Sequence, residues 1–317
     1  MLLIILVAVA TVVLVLFLYA YRWNLSNPNR SHAIMVDGYE RAFIYHIPKN
    51  LDPDPDLIIV YHGSRLKPFL MQVFTGHEFD LLADESRNAI IVYPEGYGGN
   101  WNDCRIKAPF PAKKLNVDDV RFTEQLIDFF KREFQVQRVF GVGFSNGGTM
   151  IFRLAAERPG VFTAFATIGA NLPTEDNNSN PPVNTPVAMM LIFGRMDPVV
   201  PFDGGTIILD GQNWGTVKSA KETVAFWTTV NQADLETVQE TGPVKREEFY
   251  SQITHKRLTF IEIGNGGHTI PNRHFRIPIR KLGPMSGDVD VPVEIWDFFN
   301  RVGPGLSGLG TEDIQRK

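Results

Sequence analysis

The stretch Val142-Gly143-Phe144-Ser145-Asn146-Gly147-Gly148 decides the fold of this chain, because it joins an apolar strand to a helix through a very short turn. The apolar run at residues 138–144 predicts the strand, and a helix is predicted over about residues 148–158. Gly143 and Gly147 stand two residues to either side of Ser145, where a side chain would collide with the neighbouring strand or helix. The turn therefore presents the Ser145 hydroxyl at the end of the sheet, in front of a helix N-terminus that stabilises an anion.

Other short apolar runs alternate with helical segments along the chain, and each run suits a strand that is buried on both faces. These runs are residues 57–61, 89–93, 165–168, 187–193 and 258–263. Residues 33–36 and 41–47 flank an Asp-Gly turn and predict an antiparallel hairpin at the sheet edge. The alternation gives the fold class α/β, with a mainly parallel central sheet flanked by helices. The pattern Gly143-x-Ser145-x-Gly147 between strand and helix is the nucleophile elbow of the α/β-hydrolase fold.

The composition describes an ordinary globular protein, with 317 residues, 44% of them apolar, and a formal net charge of -4. We expect one catalytic domain over residues 33–303, preceded by a polar linker at residues 24–32 and followed by a disordered tail at residues 304–317. The slightly acidic balance lacks the basic patch of a nucleic-acid-binding protein. The single cysteine, Cys104, excludes an intrachain disulfide. The sequence has neither a metal-ligand cluster nor a phosphate-binding loop, so we expect no metal and no cofactor.

The N-terminal segment, residues 1–23, predicts a single membrane-spanning anchor. Residues 2–20 contain no charged side chain and, at ~1.5 Å of rise per residue, are long enough to cross a bilayer as a helix. Tyr19, Tyr21 and Trp23 then supply the aromatic side chains typical of the membrane–water interface. A cleavable signal peptide, which would leave the protein secreted, is one alternative, but its basic start and shorter apolar core are missing. A buried helix of the globular domain is another.

Strand ends downstream of Ser145 offer partners for its hydroxyl. A serine nucleophile needs a base, and the base needs an acid that orients it. In α/β-hydrolases the acid precedes the histidine in the chain. Asp197 follows an apolar run at a turn and lies closer to the strand end than Asp203, its nearest competitor. His268 follows another run, behind a flexible glycine stretch that lets it reach the serine. The predicted catalytic residues are therefore Ser145, Asp197 and His268.

An acyl-transfer site also needs two backbone N–H groups for the developing oxyanion, one from the residue after the serine and one from an early loop. These positions are Asn146 and Ser64. His62 comes just before that early loop, where a histidine usually shapes the oxyanion loop. Trp101 and Phe144 are predicted to form the wall of the substrate-binding pocket, and a place in the core is the alternative for both.

A set of motifs follows in one order through about residues 40–300. They are residues 57–64, 82–84 and 92–96, Trp101-x-x-Cys104, and residues 117–120, 143–148, 194–201, 204–205 and 267–271. Together they resemble the polyhydroxybutyrate depolymerase and feruloyl-esterase-like family of α/β-hydrolases. The resemblance implies a Ser–Asp–His triad that acts on polyesters or on phenolic and acetyl esters. Ser145, Asp197 and His268 stand at the family's motif positions.

The chain departs from this family in its cysteines. Exported members commonly carry disulfides near the tryptophan loop, whereas here Ser64 stands where a cysteine is frequent and Cys104 has no partner. The charge bias of Arg22 and Arg30 after the anchor points to a cytoplasmic domain. The resemblance to exported proteins implies an extracytoplasmic catalytic domain instead, and we expect the latter. A tethered enzyme reaches insoluble polymer poorly, so small esters are the expected substrates.

We therefore expect a serine esterase that hydrolyses polyhydroxybutyrate-type, feruloyl or acetyl esters through an acyl-enzyme. Its partners would be a small-molecule or oligomeric ester and, through residues 1–23, a membrane. The same triad would serve a peptidase or an acyltransferase, which differ from an esterase only in the pocket. A non-catalytic binding protein of the same fold is a further alternative, although such proteins usually lose a triad residue that this chain keeps.

Overall fold

The computed structural model describes residues 29–209, 211–276 and 280–302. The predicted anchor at residues 1–23 and the predicted tail at residues 304–317 lie outside this range. Within it, no helix is both long and apolar enough to cross a membrane.

Ten strands form the central sheet. They are β1 (Arg30–Val36), β2 (Tyr39–His46), β3 (Asp56–Tyr61), β4 (Ala89–Pro94), β5 (Val139–Phe144), β6 (Ala164–Ile168), β7 (Ala188–Gly194), β10 (Asp234–Thr241), β11 (Val244–Tyr250) and β12 (Arg257–Ile263). Their order across the sheet is β1-β2-β4-β3-β5-β6-β7-β12-β11-β10. Neighbours are parallel from β4 through β3, β5, β6 and β7 to β12, and the strands at both edges are antiparallel. The predicted mainly parallel central sheet and the hairpin at its edge are confirmed.

Helices cover both faces of the sheet. They are α1 (Pro68–Phe74), α2 (Glu78–Ser86), α3 (Pro111–Lys114), α4 (Asp119–Phe134), α5 (Asn146–Glu157), α6 (Ala220–Asn231) and α7 (Val291–Arg301). One core joins one face of the sheet to α4, α5 and α6, and the other joins the opposite face to α1, α2 and α7. Alternate side chains of β3 enter the two cores, Ile59 on one face and Ile58 on the other. Burial on both faces explains why the central strands are continuous apolar runs.

Several parts of the chain differ from the sequence-based expectation, among them β10 and β11, which were not predicted. Residues 30–32, predicted as linker, belong to β1, because Arg30 and His32 pair with Tyr45 and Phe43 of β2. A separate two-stranded sheet, β8 (Gly205–Leu209) with β9 (Gln212–Val217), follows β7 and was not predicted. This hairpin contributes Ile207, Trp214 and Val217 to a third, smaller apolar cluster outside the two main cores.

Candidate active site

The elbow between β5 and α5 has the geometry expected from its glycines. Ser145 lies in the left-handed region with φ 54° and ψ -117°, a conformation that costs an L-residue about 1–3 kcal/mol. A Cβ at Gly143 would come 2.2 Å from the carbonyl oxygen of Gly147, and one at Gly147 would come 2.2 Å from that of Tyr61. The turn also bonds to the next strand, because the Ser145 N–H donates to Ile168 O at 2.9 Å. Only glycine fits at either position, so Ser145 is held at the carboxyl end of the sheet.

Asp197 and His268 meet at the same sheet edge. Asp197 follows β7 and His268 follows β12, and His268 Nδ1 lies 2.6 Å from Asp197 Oδ2. The other carboxylate oxygen of Asp197 accepts the N–H groups of Val199 and Val200, each at 2.8 Å. The Asp197 side chain is 2% exposed and that of His268 is 5% exposed. A carboxylate partner fixes the proton of the histidine on Nδ1, which leaves Nε2 as the acceptor.

The ring of His268 is positioned from both sides. Its centroid lies 4.8 Å from that of Phe144, and a Cβ at Gly169 would lie only 3.1 Å from Nδ1. The glycine stretch before His268 is needed for close backbone approach rather than for freedom of movement. A Cβ at Gly267 would come 2.4 Å from Leu282 O, the same oxygen that accepts the His268 N–H at 2.6 Å.

The early loop predicted to supply an oxyanion donor passes directly against the elbow. A Cβ at Gly63 would lie 3.0 Å from the ring of Phe144 and 3.3 Å from Cβ of Ser145. Ser64 lines the same cavity as Ser145. Asn146 is the first residue of α5, and both the oxygen and the nitrogen of its side-chain amide are hydrogen-bonded. Its Oδ1 accepts the Trp101 N–H at 2.9 Å, and its Nδ2 donates to Asp103 Oδ2 at 2.6 Å.

His62 braces this loop and is not a second base. Burial lowers the pKa of His62 to about 4, so its ring is neutral. Nε2 accepts the Gly96 N–H at 3.0 Å, which leaves Nδ1 to donate to Gly63 O at 2.7 Å. The interpretation of His62 as a residue that shapes the early loop fits these contacts.

The two aromatic residues predicted for the pocket wall have different positions. Phe144 lines the cavity beside Ser145. Trp101 is fully buried, packs edge-on against Tyr61 with ring centroids 5.1 Å apart, and donates Nε1–H to His62 O at 2.9 Å. Trp101 does not line the cavity at Ser145, so its assignment to the pocket wall is corrected. Its side chain fills the core under the early loop.

The cavity at Ser145 has a volume of about 140 Å³ and is mostly apolar. Its polar lining residues are Ser64, Arg105, Ser145 and His268, and its apolar ones are Leu66, Phe74, Phe144, Val199, Val200, Ile207, Leu209, Trp214 and Leu282. Sequence reasoning missed the contribution of the β8–β9 hairpin. A signal for it was present, since Asp210-Gly211 directly after the apolar residues 207–209 is typical of a tight hairpin.

Comparisons with known proteins identify similar esterases. No protein-family profile matches the chain. "Putative esterase NocK" of Nocardia uniformis subsp. tsuyamanensis is 28% identical over 292 residues, which cover 85% of this chain and 82% of that protein. "Feruloyl esterase C" of Emericella nidulans is 26% identical over 183 residues, 56% of this chain and 59% of that protein's length.

Solved structures agree on the fold. The acetyl xylan esterase from Aspergillus awamori superimposes with a TM-score of 0.52 and 15% identity, covering 76% of this chain and 95% of its own. A thermostable esterase superimposes with a TM-score of 0.51 and 14% identity, covering 86% and 62%. The predicted α/β-hydrolase fold and the resemblance to feruloyl-esterase-like proteins are confirmed.

Proposed function

We propose that this carboxylic ester hydrolase is a serine esterase in which Ser145, Asp197 and His268 form the catalytic triad. The observation that carries the proposal is the hydrogen bond of 2.6 Å between His268 Nδ1 and Asp197 Oδ2, beside the cavity that Ser145 lines. With the proton on Nδ1, Nε2 is free to take the proton of the Ser145 hydroxyl. The esterase names of the relatives support the same class of reaction.

In the proposed mechanism, Ser145 Oγ attacks the acyl carbonyl carbon while His268 takes its proton. The oxyanion accepts hydrogen bonds from the backbone N–H groups of Asn146 and Ser64. The imidazolium, stabilised by Asp197, gives its proton to the leaving alcohol, and an acyl-enzyme remains on Ser145. Water activated by His268 then attacks the acyl-enzyme and releases the carboxylic acid. Each oxyanion donor is expected to lower the barrier by about 2.7–4 kcal/mol.

The cavity favours small esters as substrates. Its volume of about 140 Å³ is close to that of an engineered apolar cavity of about 150 Å³ that holds benzene. We therefore expect an acyl group no larger than a short chain or a single ring. An acetyl ester satisfies this limit, and the ring of a feruloyl ester would fill the cavity.

For residues 1–23 we keep the proposal of a membrane anchor with an extracytoplasmic catalytic domain, or of a secreted protein if the segment is cleaved. The uncharged run at residues 2–20 supports it. Cell fractionation of the full chain tests it, with protease added to intact cells. Activity in the membrane fraction that external protease removes would support the anchor and its orientation. Activity in the membrane fraction that the protease leaves intact would contradict the orientation, and soluble activity inside the cells would contradict both. Activity in the medium would support the cleaved, secreted form.

The test of the esterase activity uses the full chain in mild detergent beside its Ser145→Ala variant. Para-nitrophenyl acetate, butyrate and octanoate, methyl ferulate, hydroxybutyrate oligomers and a peptide para-nitroanilide are compared. The proposal predicts turnover of a short-chain or phenolic ester that falls by about 10³ or more in the variant. Equal turnover by the variant, or cleavage of the anilide alone, would refute the esterase assignment and favour a peptidase or a binding protein.

A further inference from the structure

Arg105 is a charged side chain in the otherwise apolar part of the active-site cavity. It is only 3% exposed, yet it lines the cavity together with Ser145 and Trp214. Its guanidinium carbon lies 5.3 Å from the ring centroid of Phe110 and 5.9 Å from that of Trp214. A buried charge is costly unless it is paired and hydrogen-bonded, so its presence here needs an explanation.

Part of the explanation is the fully buried Asp103. Nε and Nη2 of Arg105 both donate to Asp103 Oδ2. Burial alone would raise the pKa of Asp103, but the charge and hydrogen bonds of Arg105 outweigh it and lower that pKa below its ordinary value. Asp103 is therefore ionised and neutralises the charge of Arg105. The same oxygen accepts from Asn146 Nδ2 at 2.6 Å, which connects the cavity wall to the residue after the serine.

The pair with Asp103 does not use every donor of Arg105. Nη1 has no hydrogen-bond partner within residues 29–209, 211–276 and 280–302, although Arg105 lines the cavity. A second donor on the same wall is also unused. Trp214 is 4% exposed, and its Nε1 is buried without a partner in the described part of the chain. Buried donors are nearly always hydrogen-bonded, so the unused Nε1 of Trp214 indicates a missing acceptor, and the unpaired Nη1 of Arg105 on the same cavity wall can share it.

We propose that Arg105 Nη1 and Trp214 Nε1 bind an uncharged acceptor oxygen of the substrate, and that Arg105 and Trp214 thereby determine specificity. Substrates would then be esters with an ether, hydroxyl or carbonyl oxygen in the group that occupies the cavity, preferred over hydrocarbon groups of the same length. The acceptor is uncharged because Asp103 already balances Arg105, and a further anion would enter an apolar cavity unpaired. This proposal rests on the esterase function assigned to Ser145.

The experiment compares length-matched para-nitrophenyl esters that differ by one oxygen in place of a methylene. Methoxyacetate, terminal methoxypropionate and terminal methoxybutyrate are paired with butyrate, pentanoate and hexanoate. The full chain is assayed as wild type, Arg105→Lys and Trp214→Phe. The readout is the ratio of kcat/KM within each pair, relative to the wild-type ratio, so that intrinsic differences in ester reactivity cancel.

Arg41→Lys is the matched control. Arg41 also pairs with a buried aspartate, Asp119, and lies 4.2 Å from the ring of Phe122, but it does not line the cavity. Any loss of activity that it shares with Arg105→Lys measures destabilisation alone. Circular dichroism and thermal unfolding show whether each of the three variants folds. If Arg105→Lys fails to fold, Trp214→Phe still tests the proposal.

For at least one pair, Arg105→Lys should lower the oxygen-to-hydrocarbon ratio by about tenfold or more, and Trp214→Phe by about fivefold. The ratio in Arg41→Lys should change far less. An equal loss for both members of every pair would overturn the proposal and make Arg105 a structural support of Asp103 and Asn146. An Arg105-dependent preference for a succinate monoester over the ethers would also overturn it.

The outcome for the hydrocarbon esters separates this proposal from the esterase function. If butyrate hydrolysis depends on Ser145 but substitution of Arg105 does not change the ratios, the esterase function stands. The proposed role of Arg105 and Trp214 as hydrogen-bond donors to the substrate is then refuted. A wild-type protein inert on every ester would overturn both.

Discussion

Replacing Asp197 with asparagine should abolish the base without disturbing the fold. Oδ1 of Asp197 accepts two backbone N–H groups, from Val199 and Val200, each at 2.8 Å. The asparagine must therefore keep its carbonyl oxygen at that position, since its NH₂ group cannot accept. The NH₂ group then faces His268 Nδ1 in place of the oxygen now 2.6 Å away. Two donors would meet, so the imidazole must move its proton to Nε2.

A histidine with its proton on Nε2 cannot accept the proton of Ser145, so the base is lost although every atom stays near its place. For this tautomer change in a Ser–His–Asp triad we expect kcat to fall on the order of 10⁴, or ~5.4 kcal/mol in the barrier. The variant is expected to lose little stability, because the two backbone bonds to Oδ1 are preserved.

The assay is the kcat of the full chain for its best para-nitrophenyl ester, with thermal unfolding as a measure of folding. Asp203→Asn is the matched control, because Asp203 is the neighbouring aspartate and is exposed. The Asp203 variant should retain wild-type kcat. A fall of less than tenfold in Asp197→Asn, or an equal fall in both variants, would refute the role assigned to Asp197.

Three further predictions concern the fold around the site. Gly147→Ala should lower the free energy of unfolding by ~3 kcal/mol, because its Cβ would lie 2.2 Å from Tyr61 O. Gly160 has open space around it, so Gly160→Ala is the control and should leave the unfolding midpoint in urea within error of wild type. Burial lowers the pKa of His62 from 6.5 to about 4, so below pH 6.5 the unfolded chain binds a proton that the folded chain does not. The contribution of neutral His62 to the free energy of unfolding is therefore fully present above pH 6.5 and should fall by ~3 kcal/mol as the pH drops to 4. Urea unfolding at several pH values measures this fall, and an equally steep dependence on pH in His62→Asn would contradict it. Burial raises the pKa of the Cys104 thiol, so a thiol reagent should modify Cys104 only in denaturant, and rapid modification of the folded protein would contradict this.

The parts of the site that the sequence predicted depend on short-range geometry. The elbow could be predicted because most of the atoms that leave no room for a side chain at its glycines lie only a few residues away in the chain. The exception is Tyr61, on the adjacent strand of the sheet. Asp197 and His268 could be predicted as site residues because the carboxyl ends of parallel strands lie at one edge of the sheet, whatever the conformation of the loops. The alternation of apolar runs was sufficient to predict the parallel strands of that sheet.

The parts that were missed depend on contacts between distant segments. Trp101 was assigned to the pocket because its loop leads towards the site, and only the packing against Tyr61 and His62 reveals its place in the core. Arg105 and Trp214 are 109 positions apart in the chain, and no local pattern predicts that they share a cavity wall. The strands β10 and β11 were also missed, because β10 is exposed along its whole length and carries no apolar alternation.

The most direct test of the catalytic role of Ser145 is the mass of the protein after reaction with a para-nitrophenyl phosphate triester, which phosphorylates an activated serine. The full chain should gain one dialkylphosphoryl group, on the peptide that contains Ser145, and lose its esterase activity in proportion. Ser145→Ala should gain none, and Asp197→Asn should react slowly. Phosphorylation of another residue with Ser145 unmodified, or full esterase activity in Ser145→Ala, would contradict the assignment of Ser145 as the nucleophile.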